Sequence, residues 1–360
     1  MTLPATDPKV LRDAVQCGNR WWVVGALQPA GGEPRPAAWD SADGRTWRSV
    51  TVAPHPRSFY GPRSVLYSVA CSSGRIAAIG AQSGGAHGNP RTSTWYQRAD
   101  GALAEVPAPF ELYGGDEAVD VGRIAGGPGG FLIAGNRTSG PATWLSRDGV
   151  RFDRHEVGEK GALARDGAVF DGRYVLAGAA APASGQMAGG AVWESADGTT
   201  WVRASVEAVE IQRLTAFHGD LIAAGQRGGT FAAWRRDAGR WAPLNDDGRS
   251  AAGGPSVAGG PSAVGGGPGG GGGPSAGGPR AGAGDAAGAG SFGRATPAGL
   301  RSLTVAAGRL VAAADRVWSC VDGNAWTELA VPAAPVAVAG GDDALLVISA
   351  DRAWLTRLVP

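Results

Sequence analysis

Short apolar runs closed by turn residues succeed one another along the chain. One kind ends on glycine: Trp21-Trp22-Val23-Val24-Gly25, Ile76-Ala77-Ala78-Ile79-Gly80, Phe131-Leu132-Ile133-Ala134-Gly135, Tyr174-Val175-Leu176-Ala177-Gly178 and Leu221-Ile222-Ala223-Ala224-Gly225. A run of mixed polarity precedes many of these, as in Asp13-Ala14-Val15-Gln16-Cys17, Tyr67-Ser68-Val69-Ala70-Cys71 and Leu214-Thr215-Ala216-Phe217. Short runs bounded by turn signals read as β-strands, and their regular recurrence reads as an all-β repeat array.

A tryptophan opens a third recurring element, at Trp39, Trp95, Trp144, Trp193, Trp234, Trp318 and Trp354. Its fullest forms are Trp39-Asp40-Ser41-Ala42-Asp43-Gly44-Arg45-Thr46-Trp47 and Trp193-Glu194-Ser195-Ala196-Asp197-Gly198-Thr199-Thr200-Trp201. Trp144 leads to Ser146, Asp148 and Phe152; Trp318 leads to Cys320, Asp322 and Trp326. Asp-Gly predicts a type I′ hairpin turn with positive φ at both central residues. Alternation sets Trp39 and Ser41 on one face of the incoming strand. The Ser and Asp side chains are then placed to bond the turn backbone.

Most spacings between these tryptophans match the roughly 40–50 residues of a four-stranded blade. Each unit therefore reads as four antiparallel strands, A to D, with the tryptophan phrase as the C–D hairpin. Seven units predict an all-β, seven-bladed β-propeller filling residues 1–360 as one domain. The last unit supplies only three strands before the sequence ends. The strand-like piece Thr2-Leu3-Pro4-Ala5, similar to Leu329-Ala330-Val331-Pro332, is expected to close that blade as its fourth strand and cover an open edge.

One interval is long because it contains residues 246–297, rich in Gly, Pro, Ser and Ala. This composition buries too little apolar surface to offset the entropy of ordering. The segment is expected to be a disordered loop between blades 5 and 6.

The hairpin phrase resembles the Asp-box, or BNR, repeat of sialidases and their non-enzymatic relatives. The family pattern Ser-x-Asp-x-Gly-x-x-Trp is here one residue shorter between Asp and Gly. The resemblance implies that Trp39, Ser41, Asp43, Trp47, Ser146, Asp148, Ser195, Asp197, Trp201, Asp322 and Trp326 are structural. It also implies that they lie on the face opposite the usual ligand site. A sialidase of this family further needs three arginines, a Tyr–Glu nucleophile pair and an Asp acid/base. The Phe/Tyr-Arg-x-Pro motif that carries one of those arginines is missing, since Tyr60-Gly61-Pro62-Arg63 does not fit it.

Composition narrows the remaining classes. Lys+Arg 33 against Asp+Glu 32 leaves a net charge of +1, so no global field recruits nucleic acid or an anionic membrane. No apolar run reaches bilayer-spanning length, and no signal peptide precedes the first strand. As written the chain reads as cytoplasmic and monomeric; a truncated start would make it extracellular or part of the cell envelope. Cys17, Cys71 and Cys320 are too few for a disulfide framework or a zinc site. Cys17 and Cys71 occupy equivalent places in neighbouring strands, and a bridge between them depends on how close two blades hold them. No phosphate loop is present, because the polyglycine stretch lacks both the Lys-Ser/Thr pair and a strand–helix setting. No cofactor or metal is expected.

Candidate chemistry belongs on the D–A and B–C loops, where residues 28–36, 55–63, 82–92, 111–117 and 180–190 are long. Arg12, Asp13, Arg165, Asp166, Arg213 and Arg301 near the starts of inner strands form either an anion site with forked donors or ion pairs along a wet channel. Phe59, Tyr60 and Tyr113 either stack on a ligand or pack the loops down. The reading that follows is a non-catalytic scaffold that binds a protein or glycan partner at the channel mouth. The alternative is a sialidase-like or other glycoside hydrolase acting there.

Overall fold

A computed structural model describes residues 2–84, 90–181, 189–237, 239–244, 290–321, 323 and 325–358. Its seven sheets, antiparallel but for one short parallel pair in blade 2, follow one another in sequence, and the chain is a seven-bladed β-propeller. The inner strands are Lys9–Cys17, Val65–Ser72, Ala118–Gly127, Leu163–Phe170, Glu210–Phe217, Ser302–Ala306 and Ala337–Gly340. Each packs beside the next, and the seventh packs beside the first, so the ring is closed. Within a blade the hairpin-connected strands pair in chain order, as short connections require, and blade 2 adds Val52–Ala53 in parallel at its outer edge.

The repeated tryptophans seal the seams. Trp39, Trp95, Trp144, Trp193 and Trp234 are essentially inaccessible to solvent. Each sits on the third strand of its blade and packs against the blade before it; Trp95, for example, lies with Trp22, Val24 and Ala38 of blade 1. In blades 1, 3 and 4 the indole N–H reaches out of the seam to the chain entering the blade. Trp95 Nε1 instead donates to Ser93 Oγ on its own strand, and Trp234 Nε1 has no hydrogen-bond partner among the described residues. Trp144 Nε1 donates to Leu112 O at 2.6 Å and Trp193 Nε1 to Glu159 Oε2 at 2.9 Å.

Blade 1 shows what closes the ring. Trp39 Nε1 donates to Pro4 O at 2.8 Å, and Leu3 is fully buried among Trp39, Trp47, Leu346 and Ile348. Residues 2–5 form no strand, and the seventh sheet holds the three strands Ala337–Gly340, Ala344–Ile348 and Ala353–Arg357. The expected fourth strand of blade 7 is thus corrected. The segment instead takes the place of an inter-blade linker, the role Leu112 and Glu159 play elsewhere. Pro4, with no N–H to give, is poorly suited to a ladder but offers its carbonyl to the indole.

The C–D hairpins also differ from a two-residue I′ turn. Gly44, Gly149 and Gly198 have positive φ, whereas Asp43, Asp148 and Asp197 do not. The aspartate pins a wider loop: Asp43 Oδ1 accepts from the N–H groups of Arg45 and Thr46 at 2.8 and 2.7 Å, and Asp197 Oδ1 does the same for Thr199 and Thr200. These donors hold both carboxyls far below the usual carboxylate range. Ser146 and Ser195 accept the N–H of Gly149 and Gly198. Trp47 and Phe152 are buried, and Trp201 and Trp326 partly so; Asp322 lies outside the described residues. Paired positive φ occurs instead in A–B turns, at Ser73-Gly74, Asp171-Gly172, His218-Gly219 and Ala307-Gly308.

Cys17 and Cys71 are joined by a disulfide across the inner strands of blades 1 and 2, with Cα atoms 5.4 Å apart. Adjacent inner strands lie close enough for the bridge, the point on which the sequence left the matter open.

The Gly/Pro-rich segment enters the fold at a different place from the one expected. The outer strand of blade 5 begins at Arg240–Pro243 and resumes at Ser291–Arg294, both halves pairing with Thr230–Asp237. The insertion therefore interrupts a strand and does not follow it. Its C-terminal boundary is also earlier than 297, because Phe292 is buried and stacks on Trp326 with centroids 4.1 Å apart. Residues 245–289, the rest of the insertion, lie outside the described residues. Leu244 and Gly290 both bond to Ala233, so the two ends meet. Joining them by a short Gly-Ser turn in place of residues 245–289 is expected to leave the melting temperature within a few degrees. A broad or much lower transition in differential scanning calorimetry would show that the insertion is needed for folding.

Sealing of the 7–1 seam gives a second expectation. Leu3→Asp places a charge in a closed apolar site and removes a buried leucine, a loss of about 2–5 kcal/mol for the leucine alone. The melting temperature should fall by several degrees, and equally after deletion of residues 1–5. Unchanged melting would mean that the N-terminal segment does not hold the seam.

Candidate functional site

A bulge in the inner strands builds the channel wall. The register between first and second strands skips one residue at Arg12, Tyr67, Gly122, Arg165 and Gln212. Opposite each skip stands the glycine that closes the apolar run of the second strand, one or two residues before the strand ends. A Cβ on Gly25 would lie 2.0 Å from Val10 O, and one on Gly178 would lie 1.8 Å from Leu163 O. Blades 6 and 7 carry Ala314 and Ser349 at this place, and their first strands show no register skip. The extra residue turns aside, and the next one points into the channel.

The residues so placed are Asp13, Ser68, Arg123, Asp166 and Arg213. Asp13, Arg123, Asp166 and Arg213 line a central cavity of about 430 Å³ reached by all seven inner strands. Arg123 lies 3.3 Å from Asp13 Oδ2 and 3.8 Å from Asp166 Oδ1. Both carboxylates are buried and also close the seams: Asp13 accepts the N–H of Val69 at 3.1 Å and Asp166 that of Leu214 at 2.9 Å. Ser68 and Ser302 repeat this bond to Ile124 and Val338. Burial raises the Asp166 carboxyl above its ordinary value, against the pull of Arg213 and Arg123. Burial and the like charge of Arg123 bring Arg213 down to about 10.

The four arginines singled out in the sequence are not one set. Only Arg213 lines the channel, and its Nε donates to Arg301 O at 2.9 Å. Arg301 donates to Pro335 O. Arg165, the extra residue of its bulge, pairs with Glu210 at 2.7 Å, and Arg12, in the same position of blade 1, is exposed. Alternation separates Arg12 from Asp13 and Arg165 from Asp166. Arg123 was missed for the same reason: its offset from Gly135 matches that of Asp13 from Gly25, and alignment on those glycines finds it.

The aromatic candidates gather elsewhere, over blade 2. Phe59, Tyr60 and Tyr113 line a cleft of about 410 Å³ between the linkers that enter blades 2 and 3. Phe59 is exposed and meets Tyr60 edge-on at 5.1 Å. Tyr113 is a wall residue: it is buried against Trp144, and its hydroxyl lies 3.4 Å from Thr94 Oγ1. Glu105, buried at the base, accepts from His55 N at 2.8 Å and Ser58 Oγ at 2.7 Å, tying down the whole linker. Arg91 and Phe110 complete the cleft; neither stands out in the sequence, because three separate loops bring them together. No group of three or more His, Cys, Asp or Glu side chains among the described residues is arranged to hold a metal, and no helix among them is long and apolar enough to cross a membrane.

No family model matches the chain, and no curated protein does. Solved structures do. The β-propeller domain of the trilobed protease from Pyrococcus furiosus, described as having an open velcro topology, aligns over 96% of this chain and 90% of its own, with TM-score 0.51 and 8% identity. PorZ, an essential surface component of the type-IX secretion system of Porphyromonas gingivalis, aligns over 100% of this chain with TM-score 0.48 and 11% identity. Trypanosoma rangeli sialidase aligns over 67% with TM-score 0.41 and 12% identity. This chain spans 39% of PorZ and 49% of the sialidase. What is shared is the fold.

The channel charges act as a structural unit, which sets a test. Arg123→Gln leaves Asp13 and Asp166 without their common cation, and breaking a buried pair from one side costs about 3–5 kcal/mol. Denaturant unfolding should show a loss near the lower figure, partly recovered when Asp13→Asn is added. A neutral effect of Arg123→Gln would show that the channel is wet enough to solvate both carboxylates.

Proposed function

We propose that this chain is a non-catalytic member of the Asp-box propellers, a binding module that engages a protein or glycan partner on the face bearing its long loops. One observation carries the reading. The channel charges are spent on each other and on inter-blade N–H groups, while exposed Phe59, Phe110 and Arg12 stand outside the channel on the loop-bearing face. The Ser-x-Asp-Gly hairpins lie at the opposite ends of the strands, bonded as structural Asp-boxes would be. Two neighbours in fold fit the reading from different sides: a secretion-system surface component and a protease's propeller domain.

A second reading has its own support. Asp13 and Asp166 flank one arginine in the channel, and burial raises Asp166, as a general acid of a glycoside hydrolase would need. A screen with fluorogenic sialosides and neutral glycosides, run beside Asp13→Asn and Asp166→Asn, separates the two. The expected result is no turnover above blank, with binding on a glycan or protein array unchanged in both variants. Turnover that either substitution abolishes in a folded protein would replace the binding module with an enzyme.

A further inference from the structure

Large apolar side chains left in water are few among the described residues: Phe59, Phe110, Val119, Val202 and Val321. Three of these five border one place. Phe59 (65% exposed) and Phe110 (53%) rim the cleft over blade 2. Val119 lines a second cavity of about 290 Å³ that shares Pro90, Arg91, Thr92, Tyr113 and Gly114 with the first. Together they make a two-lobed apolar depression of a size suited to a short ligand, and a concentration of exposed apolar surface of this kind marks an interaction site.

Arg91 stands where the lobes meet. Its guanidinium carbon is 4.5 Å from the Phe110 ring centroid and 6.0 Å from that of Tyr60. The rings orient the cation but do not neutralise it. Arg91 Nε is shielded from solvent and has no hydrogen-bond partner, and no carboxylate among the described residues lies within ion-pair distance. Two carboxylates line the depression and both are committed: Glu105 to His55 and Ser58, and Asp120, in the second lobe, to Asn136. A planar cation with unspent donors between two apolar lobes is complementary to a single carboxylate flanked by apolar groups.

We infer that the blade-2 cleft binds an extended acidic–apolar peptide segment of a partner protein, with Arg91 taking an Asp or Glu side chain and the Phe59 and Phe110 rim taking its apolar neighbours. A sugar is the poorer fit. The serine hydroxyls of the cleft are already used: Ser58 bonds Glu105 and Gly61, and Ser93 bonds Trp95 and Ser64. A carbohydrate would therefore find few open partners for its hydroxyls, and burying them unpaired costs more than burying aliphatic side chains.

The inference rests on the binding-module reading and deepens it, so the test is built to fail separately. The intact chain is titrated with fluorescein-labelled peptides alternating Glu with Leu or Phe, and with matched sets carrying Gln or Lys in place of Glu, read by anisotropy. The Glu set should bind, more weakly as salt rises, and better than the Gln and Lys sets. Arg91→Gln should weaken the Glu set about tenfold or more, the loss of a charge-assisted hydrogen bond, and erase the preference over Gln. Phe110→Ala should weaken Glu and Gln sets alike, and the distant surface control Arg316→Ala should change neither. Melting curves of each variant establish that it is folded. Binding insensitive to both Arg91→Gln and Phe110→Ala, absence of binding by any set, or glycan-array binding lost in Phe110→Ala would each overturn the inference. Glycoside turnover lost in Asp166→Asn would overturn the module reading while leaving peptide capture by the cleft standing.

Discussion

A twisted sheet in a ring has two apolar faces, and each must be covered by a neighbouring blade. Here one side chain answers that demand in nearly every unit. The tryptophan of the third strand is large enough to fill the seam toward the preceding blade, and truncating such a ring costs about 3–5 kcal/mol. In blades 1, 3 and 4 its polar N–H also donates to the chain entering the blade. The same bond therefore packs the seam and fixes where the linker runs. In blade 1 residues 3 and 4 take the linker's place beside Trp39. Closure then needs Leu3 and the Pro4 carbonyl, not a fourth strand on blade 7.

The inner rim obeys a second constraint that follows from glycine. Removing Cβ opposite the bulge lets the first strand crowd the second, and the extra residue re-aims its successor into the channel. Where that successor is Asp or Ser, it accepts an N–H from the next inner strand. Where it is Arg, it compensates the aspartates across the channel. Asp13, Arg123, Asp166 and Arg213 thus do for the centre of the ring what the tryptophans do for its seams. Chemistry read into any of them must first account for this prior commitment.

Much of this was legible in sequence, and the gaps have physical causes. The seven tryptophan phrases identified the seven blades because the seam demands the same residue each time. The turn type was misjudged because Asp-Gly has two uses: here the aspartate acts through its carboxylate, while the I′ turns fell at Ser73-Gly74 and His218-Gly219, which carry a weaker signature. Insertion into a strand was hidden because Ser291–Arg294 is too short to read as a strand until Phe292 is seen stacking on Trp326. The channel was half legible. Asp13, Asp166 and Arg213 were found, but a bulge shifts facing by one residue, so Arg12 and Arg165 were grouped with them and Arg123 was not. The blade-2 cleft was legible only as Phe59, Tyr60 and Tyr113, since Arg91 and Phe110 join them through contacts between loops distant in sequence.

That cleft differs from an ordinary surface dent in how its walls are held. The linker from blade 1 adds a short parallel strand, Val52–Ala53, to the outer edge of blade 2, then folds back over it through Gly61–Arg63. Glu105, on the strand that Val52–Ala53 pairs with, holds the returning loop through His55 and Ser58, and Gly61 lies so close that a Cβ there would meet the carboxylate at 1.8 Å. On the other side, Phe110–Tyr113 forms one helical turn anchored by Tyr113 against Trp144. Both walls are therefore tied to the same two blades by buried groups, and the exposed rings of Phe59 and Phe110 are carried on backbone already in place. Little conformational entropy remains to be lost when a ligand enters, and preorganisation of this kind is what lets a small contact area yield useful affinity.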